Sequence, residues 1–135
     1  MGRVLSFANE KGGVGKTTSA LSLGAAVAEG VERTLLVDLD PQSNLTLALG
    51  FEPSSLTSTV ADVLLGNRTL ADVIQPTDVP NLDLAPASDS LLSVERFLPV
   101  RQNYELILRQ ALEANGDYAV TILDCPPALG VTTRC

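Results

Sequence analysis

Both lysines of this chain, Lys11 and Lys16, fall inside one run of eight residues, Lys11-Gly12-Gly13-Val14-Gly15-Lys16-Thr17-Thr18, and every other basic residue is an arginine. Surface lysines are usually scattered, so the clustering reads as a chemical requirement. An apolar run, Val4 to Ala8, reads as a short buried strand before the glycines, and a helical pattern follows them. Glycine admits positive φ, so successive N–H groups can converge on one anion. A helix start adds unpaired N–H donors and the positive end of its dipole. Strand, glycine loop and helix together are the context of a phosphate loop. The usual pattern asks for glycine five positions before Gly15, and Glu10 stands there instead.

The rest of the chain repeats the strand-then-helix alternation. Helix is predicted from near Lys16-Thr17 to Gly30, then a buried strand over 34–38 that ends in the acidic loop Asp38-Leu39-Asp40-Pro41-Gln42. A helical turn is predicted between Ser43 and Gly50 and a loop over 53–57. Short helices follow over 60–65 and 70–74, with Thr69 as a cap. A strand over 82–85, helix over 91–98 and a strand over 120–124 complete the pattern. Between the last two, Tyr104, Ile107, Leu108, Ala111 and Leu112 recur at the spacing of a core-facing helix. Apolar strands alternating with helices imply an α/β fold with a parallel sheet covered on both faces.

Composition excludes several chemistries. Histidine is absent, which removes His-based triads, general bases and metal ligands. A net charge of −7 has the wrong sign for wrapping nucleic acid with this segment alone. No apolar run reaches membrane-spanning length and no secretory signal is evident, which points to the cytoplasm. Cys125 and Cys135 have no CxxC spacing, so no disulfide framework is expected.

Lys11–Thr18 resembles the deviant Walker A motif of the ParA/MinD group of P-loop NTPases. The resemblance extends in order through Val37-Asp38-Leu39-Asp40-Pro41-Gln42, Asp62-Val63-Leu64-Leu65-Gly66, Asn81-Leu82-Asp83-Leu84 and Leu123-Asp124-Cys125-Pro126-Pro127. The whole chain is similar to the first half of a ParA (Soj-like) partition ATPase. That implies ATP and Mg²⁺ as ligands, held by Lys11, Gly12, Gly13, Val14, Gly15, Lys16, Thr17 and Thr18. By the same resemblance Lys16 reaches the β- and γ-phosphates, and Thr17 ligates Mg²⁺. Lys11 is the signature lysine that crosses to a partner's ATP. Asp40 orients the attacking water, Asp38 lies near the magnesium, and Asp124 is the Walker B aspartate that holds it through a water. Glu10, where relatives often carry Gln, and Ser43, where glycine is common, depart from the family pattern.

The resemblance further implies chromosome or plasmid partitioning by an ATP-dependent homodimer. A ParB-type activator and nonspecific DNA would be its partners, the DNA through a C-terminal half absent here, and the ATP-bound form would sit on the nucleoid. The alternatives are a MinD-like membrane-associated division regulator, an iron–sulfur reductase resembling the nitrogenase iron protein, and a non-catalytic truncated fragment. No Asn-Lys-x-Asp motif is present, but the base-binding region is expected beyond residue 135, so ATP is preferred by resemblance only. The Walker B strand is expected beside the phosphate-loop strand, whose other edge then lacks a neighbour.

Overall fold

The computed structural model describes residues 3–7, 14–30, 32–97, 101–116 and 118–125. For residues 7, 14–19, 95–97 and 101–105 only the backbone is described. The strands are β1 (Arg3–Phe7), β2 (Thr34–Asp38), β3 (Gln75–Pro76), β4 (Leu82–Ala85) and β5 (Val120–Asp124). The helices are α1 (Val14–Glu29), α2 (Asn44–Ala48), α3 (Val60–Leu64), α4 (Leu70–Val73), α5 (Leu91–Phe97) and α6 (Arg101–Ala114), with a 3₁₀ turn at Pro53–Ser55.

One sheet in the order β1-β5-β2-β4-β3 carries the fold. All pairings are parallel except β3 with β4, a two-residue antiparallel ribbon that the sequence reading did not contain. Pro76 explains why it stays short and at the edge, since proline cannot donate to a central ladder. β2 and β5 are buried at every position, as their unbroken apolar runs require.

β1 pairs with β5, as expected, and among the described strands it has no second neighbour. Arg3, Val4 and Ser6 are exposed, which corrects the reading of this run as a buried strand. An apolar sequence permits burial, but a covering element has to supply it.

The strand period of two divides the core between the two faces. Leu36, Leu82, Leu84, Val120 and Ile122 pack with Ala20, Ala28 and Leu45, on the α1 and α2 side. Leu35, Val37, Ala85 and Leu123 pack with residues of α3 to α6, including Val60, Val94, Leu108 and Leu112. Burying one such leucine stabilises the fold by roughly 1.5–3 kcal/mol. Helix α1 lies unusually close to the sheet because Gly24 faces it. A Cβ there would stand 2.9 Å from Leu36 Cδ2 and 3.3 Å from Leu82 Cδ1.

Two caps share the pattern Thr-x-x-Asp, of which the Thr69 cap was expected. The Thr69 N–H donates to Asp72 Oδ2 (3.0 Å) and the Asp72 N–H to Thr69 Oγ1 (3.3 Å), a reciprocal capping box on α4. The Thr59 N–H donates to Asp62 Oδ2 at 2.8 Å, at the start of α3. At the opposite end of the sheet from the acidic loop, the Tyr118 hydroxyl donates to Asp83 Oδ2 (2.6 Å), which also pairs with Arg33 at 3.4 Å. The Arg33 guanidinium lies over the Tyr118 ring, 4.7 Å from its centre. Among the described residues no helix is long and apolar enough to cross a membrane.

Candidate functional site

Helix α1 begins at Val14, two residues before the expected Lys16, so Val14 to Thr17 form its first turn. These first N–H groups have no partner within the helix and are available to an anion. Gly15 is tolerated there because a first-turn residue gives up less than an interior one. Lys11, Gly12 and Gly13 lie outside the described residues, and for Val14, Gly15, Lys16, Thr17 and Thr18 the backbone alone is described.

The strand register brings the predicted carboxylates together. Asp38 is the partner of Asp124, and Asp124 is also the partner of Phe7, the last residue of β1. Asp38 and Asp124 are both fully buried. Each lies two residues beyond Leu36 and Ile122, so alternation puts both on the α1 face of the sheet. They stand at the C-terminal edge, where ligand crevices open in α/β sheets and where α1 starts.

Burial pushes the Asp38 carboxyl up from 3.8 to about 6, against the opposing pull of hydrogen bonds from Thr46 and Asp40, and the Asp124 charge adds to the rise. Three protein donors hold Asp38. Its Oδ1 accepts the Asp40 N–H (3.1 Å), and its Oδ2 accepts both the Thr46 N–H (3.0 Å) and the Thr46 hydroxyl (2.8 Å). A carboxylate has about four acceptor positions, so roughly one remains.

Asp40 is 5% exposed and heads a tight turn. Its Oδ1 accepts the Gln42 N–H at 2.9 Å, and its carbonyl accepts the Ser43 N–H at 2.8 Å. Ser43 closes this turn with φ 60 and ψ 31, in the left-handed region. That is the conformation glycine adopts most readily, so Ser43 holds it under strain. A cleft of about 260 Å³ opens against the turn, lined by Pro41, Gln42, Ser43, Leu47, Glu52 and Asp89 among others.

The donor types fit a magnesium ion. Two buried like-charged neighbours repel unless a cation intervenes, and Mg²⁺ takes one or two carboxylates while phosphates and waters complete its shell. Among the described residues there is no cluster of three or more His, Cys, Asp or Glu, so no all-protein cage competes with that arrangement. Cys125 is fully buried; Cys135 lies outside the described residues. Sequence reasoning passed over Thr46. Its signal was a β-branched hydroxyl residue between Leu45 and Leu47, in a stretch read only as a helical turn.

The fold is that of the P-loop α/β proteins. Residues 2–135 match the family model of the AAA domain, and the chain belongs to that family. Within it, the chain is of the ParA/Soj type. It is 46% identical over 134 residues to the chromosome partitioning protein ParA of Caulobacter vibrioides, covering 97% of this chain and 50% of the relative. It is 43% identical to the sporulation initiation inhibitor protein Soj of Bacillus subtilis, covering 98% of this chain and 53% of the relative. The chain thus spans about half the length of the curated relatives it matches. Among solved structures, cobyrinic acid a,c-diamide synthase from Mycobacterium smegmatis, with bound ATP analog and magnesium, superposes with a TM-score of 0.89 at 45% identity. That match covers 96% of this chain and 53% of the other.

Proposed function

We propose that this chain supplies the phosphate-binding and water-orienting part of a magnesium-dependent ATPase acting in chromosome or plasmid partitioning. The observation that carries the reading is the register of Asp38 and Asp124, with the Asp40 turn beside them at the edge where α1 begins. The bound ATP analog and magnesium in the Mycobacterium smegmatis structure, and the chromosome-partitioning relatives, support the same assignment.

In this reading the N–H groups of the loop and of the first turn of α1 bind the phosphates, and the Lys16 ammonium neutralises their charge. Thr17 and Asp124 hold Mg²⁺, with Asp38 near it; when bound, the ion offsets phosphate charge as it develops. Asp40 orients the attacking water. Lys11 acts across a dimer, adding positive charge at the partner's transferring phosphoryl group in the manner of an arginine finger. ATP thereby controls a homodimer that binds DNA nonspecifically through residues beyond this chain. A ParB-type protein stimulates turnover, and the ATP-bound form is cytoplasmic and nucleoid-associated.

Titration calorimetry of the complete protein with ATP, with and without Mg²⁺, tests this reading. Binding is expected to need magnesium and to be lost on Lys16→Ala, because charged hydrogen bonds to phosphate contribute ~1.5–3 kcal/mol each. Equal affinity in the variant would remove Lys16 from the site.

A further inference from the structure

We infer that Thr46 is a positioning residue for Asp40, acting through Asp38. The inference rests on the reading of Asp40 as the group that orients the attacking water, and deepens it.

Thr46 is fully buried on α2, six residues beyond Asp40, and both of its polar groups turn back to the acidic loop. Its N–H and its hydroxyl both donate to Asp38 Oδ2. The same hydroxyl oxygen accepts the Ala87 N–H at 2.9 Å, from the segment that follows β4. A hydroxyl offers one donor and can still accept, so Thr46 uses both capacities. With the donor spent on Asp38, the Ala87 bond fixes the direction in which the hydroxyl points.

Asp38 passes this constraint on. With Oδ2 held by Thr46, its Oδ1 is directed at the Asp40 N–H. That bond sets where the Asp40 backbone lies, and the Gln42 N–H then pins the Asp40 carboxylate. The other flank of the turn faces the open cleft, where packing cannot hold it. The turn also contains the left-handed Ser43, a conformation that surrounding bonds must enforce. β2, α2 and the segment after β4 therefore converge on the placement of one carboxylate.

The test compares Thr46→Val, Thr46→Ser and Asp38→Asn with the wild type in the complete protein. Steady-state ATPase and amide hydrogen exchange without nucleotide are the two readouts. Thr46→Val keeps the side-chain volume and removes the hydroxyl. Its kcat is expected to fall roughly 10- to 100-fold with KM little changed, the effect of a slightly misplaced group. Thr46→Ser keeps the hydroxyl and is expected to restore the rate. The Asp40 and Gln42 amides should exchange faster in Thr46→Val and in Asp38→Asn, but not in Thr46→Ser, while β4 amides keep their protection.

Unchanged protection at Asp40 in both Thr46→Val and Asp38→Asn would overturn the inference. So would an equal loss of rate in Thr46→Ser and Thr46→Val. If Thr46→Val fails to fold, Thr46→Ala takes its place, and unchanged Asp40 protection in it would overturn the inference. A wild type without ATP turnover would defeat the proposed function, and the exchange readout would still decide whether Thr46 positions Asp40.

Discussion

Asp38 and Asp124 are paired residues on adjacent parallel strands, both fully buried, and the charge of Asp124 helps to hold the Asp38 carboxyl above its ordinary range. Between 3.8 and about 6, the folded chain keeps a proton on Asp38 that the unfolded chain has released. Stability from this group is therefore largest in acid and falls as pH rises through that window. A rise of this size corresponds to roughly 3 kcal/mol at most. Asp72 works in the opposite sense. Hydrogen bonds from Thr69 lower it, so its contribution is present above the ordinary carboxylate range and is lost as pH falls. Asp38→Asn is expected to flatten the decline from about pH 4 to about pH 7 in metal-free, nucleotide-free protein. Thermal unfolding across that range measures it, and an unchanged slope would assign the decline to other groups.

Asp40 and Lys11 are expected to fail in different ways. A residue that orients the attacking water acts mainly in the transition state, so Asp40→Ala should lower turnover and spare ATP affinity. Lys11→Ala should weaken the ATP-dependent dimer as well as turnover. Sedimentation and phosphate release on the complete protein separate the two effects. Normal turnover in Asp40→Ala would end its catalytic assignment.

Gly24→Ala tests how closely α1 must lie against the sheet. Alanine favours a helix interior over glycine by ~1 kcal/mol. The new methyl would stand 2.9 Å from Leu36 Cδ2, so the end of that fully buried side chain has to shift. Overpacking of this kind costs about 1–3 kcal/mol. A net loss near ~1 kcal/mol is expected, seen as a lower Tm, with weaker ATP binding because the start of α1 shifts. A variant more stable than wild type would mean that α1 moves outward at no cost.

Ser43→Gly should stabilise the chain. Left-handed backbone costs a side-chain-bearing residue roughly 1–2 kcal/mol, while added glycine freedom in the unfolded chain takes back about 0.4–1 kcal/mol. The Ser43 hydroxyl reaches the Pro41 carbonyl only at 3.4 Å, a weak bond to lose. A gain of about 0.5–1 kcal/mol in denaturant unfolding is expected, and a loss would show that this hydrogen bond outweighs the strain.

Much of the architecture was legible because it rests on local physics. The strands at 34–38, 82–85 and 120–124 are continuous apolar runs, and Thr69-Leu70-Ala71-Asp72 spells out its own cap. The glycine loop was read as a phosphate site from its residue types and its place between a strand and a helix, and the structure describes that strand and helix as β1 and α1. Missed or misread features depended on neighbours distant in sequence. The ribbon of Gln75–Pro76 exists through its pairing with β4, and the exposure of Arg3, Val4 and Ser6 depends on which elements pack against β1.

The sequence by itself determined which residue types could carry the chemistry: no histidine, two lysines in one glycine loop, and aspartates placed at strand ends. It also determined the alternation of strand and helix, because hydrophobic period and turn chemistry act over a few residues. Tertiary structure decided the rest. Only the insertion of β5 between β1 and β2 puts Asp124 beside Asp38, since strand order is set by long-range pairing. Only the packing of α2 and the segment after β4 against β2 brings Thr46 and Ala87 to the same carboxylate. Hydrogen bonds form between groups that the folded chain places within about 3 Å of one another, whatever their distance along the sequence.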